Sequence, residues 1–335
     1  VRSDKESGVE EAMANPPKRH HYVPRFYLAG FTKSGTVDGD LFVLDQRQRK
    51  RWGPVSPASV AYGNDFYKID VRPDADPMVI EKTFGAEVES ECSKVIRAVI
   101  EQECLPTGTD HDILLNFVAL MAVRVPAIRN IISAFVDDVT KDLTRTVLMN
   151  EEGWQQFKRN CEAGGEKVDC TWQEMKAFVD GDDYTVDLDR SWHVGVMLDA
   201  GSKLIPVLAR RNWSIWITKD DAPDLICSDR PVCLTWYMSQ PPPLPPGFAV
   251  PGTTVIMPIN RRIAIAGTFE DQPSEATLDS NDVAVVNRST REYANQIYSA
   301  EPDFVWAMTD EKVGTASELL ELLKPSEPLP KEGPK

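Results

Sequence analysis

Trp213-Ser214-Ile215-Trp216-Ile217-Thr218 is the stretch on which the fold turns. Upstream of it the apolar residues recur at helical spacing, and from here on the period is two, the mark of half-buried strands. Leu225-Ile226-Cys227, Val232-Cys233-Leu234-Thr235-Trp236, Val255-Ile256-Met257 and Arg262-Ile263-Ala264-Ile265-Ala266 continue the pattern. The short loops between them make the sheet mainly antiparallel. Pro241-Pro242-Pro243-Leu244-Pro245-Pro246-Gly247 is a loop between strands, because proline cannot donate to a ladder.

Before this point the chain is mostly helical. A helix is expected over about 77–104, where Ile80, Phe84, Val88, Cys92, Val95 and Val99 form one stripe and Glu81, Glu87, Glu89 and Glu91 lie off it. A second helix starts at Thr109 or Asp110 and is apolar nearly all round, until Pro126 interrupts or kinks it and re-aims Arg124 and Arg129. Residues 150–189 are polar and weakly helical, an insertion over the surface, and a further helix covers about 191–210. Near the start, Leu41-Phe42-Val43-Leu44-Asp45 and Asp65-Phe66-Tyr67-Lys68-Ile69 are strand candidates, while helices over about 280–293 and 316–323 close the chain. The fold class is therefore α+β: a small N-terminal β element, a central helical bundle and a C-terminal, mainly antiparallel sheet. Its organisation is one domain over 18–324 in two lobes, 18–210 mostly helical and 211–324 mostly sheet. The charged, Pro-rich tails 1–17 and 325–335 are expected to be disordered.

Composition restricts the function. The formal charge is −15, which disfavours an extended duplex-binding surface, since such binding rests on cations releasing counterions from phosphates. No apolar run is long enough for a membrane span and Val1–Glu6 lacks a signal peptide's apolar core, so a soluble, cytoplasmic protein is expected, with no membrane partner. The six cysteines are scattered, without a Cys-x-x-Cys pair, as reduced core thiols would be. There is no phosphate-binding glycine loop, His-Glu-x-x-His or Gly-x-Ser-x-Gly, so the commonest nucleotide, protease and hydrolase signatures are missing.

One segment departs from this acidic background. Lys18-Arg19-His20-His21-Tyr22-Val23-Pro24-Arg25-Phe26-Tyr27-Leu28-Ala29-Gly30-Phe31 carries two of the four histidines and three cations, within a stretch from Ala12 to Val37 that has no Asp or Glu. Such an electropositive island is suited to an anion. His20 and His21 are adjacent, so in an extended segment their rings diverge and one of them faces any given pocket. The inward ring is either a general base or metal ligand, or a structural histidine bonded to backbone.

Together with Asp65-Phe66-Tyr67, Glu89, Arg124-Val125-Pro126, Arg129, Trp213 and Ser228-Asp229-Arg230-Pro231-Val232, this opening motif resembles, in order, the family catalogued as domain of unknown function 4238. The resemblance covers roughly His20 to Ser299. Arg230 and Val125 depart from its usual pattern, and Val125 removes any hydroxyl role at that position. The resemblance implies a boundary and a set of positions, and no activity.

The candidate site residues are His20, His21, Glu89 and Asp229 for catalysis, and Arg25, Arg124 and Arg129 for substrate. A hydrolase of phosphodiester or nuclease type would use a histidine as base, Glu89 and Asp229 as acid or as ligands of a divalent metal, and the arginines to stabilise developing negative charge. The same set also suits a non-catalytic module for an anionic small molecule, a nucleic-acid fragment or a protein partner. In a third, structural alternative, Glu89 lies on a solvated helix face, Asp229 closes a turn, and Arg124, set in the most apolar helix, is paired with Glu89 or Asp229. His111 and His193 stand alone.

Overall fold

The computed structural model describes residues 19–68, 88–236, 242–309 and 312–323. They form an α+β protein. Strand β1 (Arg19–His21) leads through Pro24 into the short helix α1 (Arg25–Ala29). Strands β2 (Leu41–Asp45) and β3 (Lys50–Val55) make an antiparallel hairpin, and β4 (Tyr62–Asn64) returns to pair with β1. Asp65-Phe66-Tyr67, expected as strand, is a turn. Asp65 sits at φ 51°, a left-handed conformation that Asp tolerates and that ends the ladder. Ile69 lies outside the described residues.

Helix α2 (Glu89–Gln102) buries Cys92, Val95, Ile96 and Val99, as its stripe demands. The expected residues 77–87 of that helix lie outside the described part. Helix α3 (Thr109–Val123) packs on α2 and buries Leu114, Leu115, Phe117, Val118 and Met121. It stops at Arg124, and Pro126 opens the next helix, α4 (Pro126–Val147). Proline at a first helical position has no backbone donor to leave unpaired there, so it interrupts the helix instead of kinking it.

Two compact units result: residues 126–193, and the rest of the chain. In the smaller unit α4 is followed by α5 (Glu151–Ala163), capped by Asn150, and α6 (Trp172–Gly181), held by a Thr171/Glu174 capping box. Trp154, Leu148 and Val179 form its core, with Trp172 and Tyr184 packed against them. Helix α7 (Arg190–Leu208) runs from this unit into the larger one.

In the larger unit the period-two stretch is strand β5 (Asn212–Thr218). It is followed by β6 (Cys227–Ser228), β7 (Cys233–Trp236), β8 (Thr253–Pro258), β9 (Ile263–Thr268) and β10 (Glu275–Leu278). The sheet order is β10-β5-β9-β8-β7, antiparallel except for the parallel β10–β5 pair. Every residue of β8 and β9 is buried, so this sheet is covered on both faces there. Helix α8 (Ser280–Glu292) packs on β7, β10 and β12 (Val305–Ala307), and β11 (Gln296–Ser299), β13 (Val313–Thr315) and α9 (Ala316–Leu322) complete the unit.

The second sheet, β3-β2-β11-β6, joins the two ends of the chain. Gln296 faces Asp45 and Ser299 faces Phe42 across the β2–β11 pair, so the N-terminal hairpin belongs to a C-terminal sheet. The main core accordingly mixes Tyr27, Leu28 and Phe31 with Phe117, Val255 and Ile263. Among the described residues no single helix is long and apolar enough to cross a membrane.

Candidate functional site

The two histidines diverge as the strand period requires. In β1 the exposure runs exposed, buried, half-buried over Arg19, His20 and His21, and β4 places Gly63 opposite His20 and Tyr62 opposite His21. His20 points inward. Its Nδ1 accepts the Tyr67 backbone N–H at 2.9 Å and its ring stacks on that of Tyr67, 6.0 Å between centroids. An accepting Nδ1 leaves a neutral ring its proton on Nε2.

His21 points the other way. Its ring meets Tyr62 edge-on at 5.7 Å, and the Arg19 guanidinium lies over the same Tyr62 ring at 4.8 Å. Burial lowers the His21 pKa to about 4, helped by the positive charge of Arg25 and, more weakly, of Arg124 and Arg19; the neighbouring Val60 carbonyl opposes them. The imidazole is therefore neutral at pH 7, and its buried Nδ1 has no hydrogen-bond partner. Arg19 and Arg25 are both exposed. Arg25 stands at the first position of α1, where the helix dipole offers a cation nothing.

Arg124 lies beneath this surface, 1% exposed. Its Nε donates to the Tyr67 hydroxyl at 2.9 Å, and its Nη2 donates to the His21 carbonyl at 2.5 Å and to Glu89 Oε1 at 3.1 Å. Glu89 is the first residue of α2, where a carboxylate also complements the helix dipole, and its side chain is 25% exposed. One guanidinium thus ties the end of α3 to the start of α2, to β1 and to the Tyr67 turn. Such a buried cation is tolerable because it is paired and hydrogen-bonded.

Asp229 follows β6 and is 6% exposed. Its Oδ1 accepts the Asn295 backbone N–H at 2.9 Å, and its own N–H donates to the Gln296 carbonyl. Burial raises its pKa, opposed by these backbone bonds. Ser228 Oγ closes the same turn by accepting from the Arg230 N–H and donating to the Arg230 carbonyl. The Asp229 charge also acts on Tyr22 and Tyr298, which hydrogen-bond each other. Tyr298 donates to Gln296 Oε1, and Gln296 in turn donates to the buried Asp45.

The residues singled out from the sequence thus fall into four places. Glu89, Arg124 and His20 belong to a closed network around Tyr67, and Asp229 belongs to a second cluster with Tyr22, Tyr298 and β11. His21 lies with Tyr62 and Arg19 on the other side of β1, where the charge of the exposed Arg25 also acts on it. Arg129 belongs to the smaller unit, where its charge acts on His193. His193 is 8% exposed and faces Ser133 Oγ at 3.2 Å through Nε2.

Tyr62 and Tyr298 are not singled out in the sequence, Tyr22 and Tyr67 stand there within motifs of the family resemblance, with Tyr22 read as core filler, and Arg19 stands there only as one cation of the island. The alternation of β1, which puts Arg19 on the side of His21, is the one available clue. The arrangement fits no divalent metal. Among the described residues no three His, Cys, Asp or Glu side chains converge as a ligand set, and Glu89, Asp229 and the His20 Nδ1 are each committed to another partner.

Comparison with known proteins adds a family and nothing on activity. No curated protein and no solved structure matches the chain. The family described as "Protein of unknown function (DUF4238)" matches residues 19–303, and the chain belongs to that family.

Proposed function

We propose that this protein binds a small anionic ligand, a phosphate- or carboxylate-bearing molecule, at the face formed by Arg19, His21, Tyr62 and Arg25. One observation carries the proposal: the half-buried His21 imidazole, whose pKa burial lowers to about 4, also lies in the field of three guanidiniums, Arg25 foremost, which press it the same way. Glu89 answers Arg124. Arg19 and Arg25 are both exposed, presented by strand β1, which Arg124 holds through the His21 carbonyl, and by the start of α1. Guanidinium groups held this way recognise an oxyanion through paired N–H donors, and Tyr62 supplies a flat wall.

The field also predicts the pH dependence. An incoming anion offsets the cations and raises the His21 pKa, so binding takes up a proton. Affinity is then weakest well above the bound-state pKa and strengthens as pH falls through it. A cytoplasmic location is part of the same proposal, supported by six free cysteines that suit a reducing compartment. A nucleic-acid fragment remains within the ligand class, as a short phosphate-bearing molecule.

Hydrolysis of a phosphodiester is a second reading, favoured by the neutral state of the half-buried His21 imidazole, which a general base requires. The His21→Ala variant separates the two. Under hydrolysis, the wild type cleaves bis(p-nitrophenyl) phosphate and the variant does not. Absence of cleavage by the wild type with a series of divalent metals removes this second reading and leaves the first intact.

Isothermal titration with pyrophosphate tests the binding proposal. Saturable binding is expected at pH 5.5, weaker at pH 8. Arg25→Gln or Arg19→Gln would each lower affinity about fivefold, the scale of one exposed ion pair. Wild-type protein without saturable heat at low salt, or variants binding as well as wild type, would refute it.

A further inference from the structure

A second site lies away from the histidine face, in the larger unit, where α2, α3 and α7 enclose a cleft of about 340 Å³. Its walls are apolar, with Cys92, Leu120, Met197 and Ile205 among them. The Cys92 thiol is pushed up to about 12 by burial, so it packs as a small apolar group and not as a nucleophile. The volume is in the range of small-molecule sites and well above that of a packing defect.

The polar groups at the cleft are Glu91, Asn116 and Ser202, one from each helix. All three are exposed and all three offer acceptors. Asn116 spends one of its two side-chain N–H groups on the Asp112 carbonyl, which leaves its side-chain oxygen and one N–H, and Ser202 spends its hydroxyl proton on the Asp199 carbonyl. Glu91 makes no ion pair among the described residues, although the neighbouring carboxylates Glu89 and Asp199 are both paired. An apolar chamber with an acceptor-rich mouth that carries the Glu91 carboxylate is complementary to a compact hydrocarbon body ending in a protonated amine. The protein's net charge of −15 adds a long-range attraction of the same sign.

We infer that the α2–α3–α7 cleft binds a small hydrophobic amine, with the hydrocarbon against Leu120, Met197 and Ile205 and the ammonium at Glu91. This site shares no residue with the anion face, so either can fail without the other.

Three adamantane probes that differ in one group test the inference by isothermal titration: 1-aminoadamantane, 1-adamantanol and adamantane-1-carboxylate. The amine is expected to bind 1:1 and at least about tenfold more tightly than the carboxylate, a difference of one good charged contact. Glu91→Gln lowers the amine's affinity by about the same factor and leaves the alcohol's unchanged. Gly201→Leu blocks the cleft. Gly201 lines it within a helix, and an added Cβ meets nothing nearer than Val123 Cγ2 at 3.5 Å, so this variant folds and gains helix propensity. No saturable binding of the amine, equal affinity for the carboxylate, or amine binding that survives Gly201→Leu would each overturn the inference.

Discussion

Replacing Arg124 by Met removes a side chain that β1, the Tyr67 turn, α2 and α3 share, while keeping most of its volume. The Tyr67 hydroxyl and the His21 carbonyl lose a charged donor inside the protein, at roughly 1–3 kcal/mol each. Glu89, a quarter exposed, recovers most of its solvation when its partner goes and adds little. The sum, about 2–6 kcal/mol, brackets the usual cost, roughly 3–5 kcal/mol, of breaking a buried pair by deleting one member. Glu89→Gln keeps an acceptor at the same place and is expected to cost less, about 1–2 kcal/mol. Urea unfolding followed by tryptophan fluorescence and far-UV circular dichroism reads both. The two substitutions touch one bond, so their combined cost falls short of the sum. A loss below about 1 kcal/mol for Arg124→Met, or strict additivity with Glu89→Gln, would refute the description of Arg124 as the tie of this fold.

Asp229→Asn tests the cluster beside β11. Burial raises the folded-state pKa of Asp229, so the ionised form is disfavoured in the folded protein, and its contribution to stability is lost as pH rises through the folded-state value. Relative to wild type, the Asn variant is expected to gain stability between low and neutral pH; a difference independent of pH would contradict this. Gly267→Ala should destabilise by about 1–3 kcal/mol, because the added Cβ would stand 2.9 Å from the Trp213 ring; an unchanged urea midpoint would show that the ring yields freely. In the native protein a thiol reagent is expected to label the exposed Cys104 and to spare Cys92, Cys227 and Cys233, all buried with raised pKa values. Equal labelling rates would argue against those burials.

The elements with a clean period were legible in the sequence. The alternation at 213–218 gave β5, the stripe through Cys92, Val95 and Val99 gave α2, and Pro126 marked the boundary of α3. The pairing of β2 with β11 was not legible, since nothing local joins Asp45 to Gln296 across some 250 residues. The same limit applied to the polar residues. The cost of burying Arg124 required a partner and named Glu89 as one of two, but composition does not show that Tyr67 closes the network. Nor does it show that His20 spends its Nδ1 on backbone while His21 keeps a free nitrogen, which depends on which ring faces inward.

The central claim, that a cation-lined face around His21 awaits an anion, is tested most directly by following the His21 imidazole through a pH titration by NMR, with and without pyrophosphate. In the free protein the ring is predicted to titrate at about 4, and with pyrophosphate to move upward by about one to two pH units as the anion offsets the neighbouring guanidiniums. A free-protein midpoint at the ordinary histidine value, unmoved by pyrophosphate, would contradict the account.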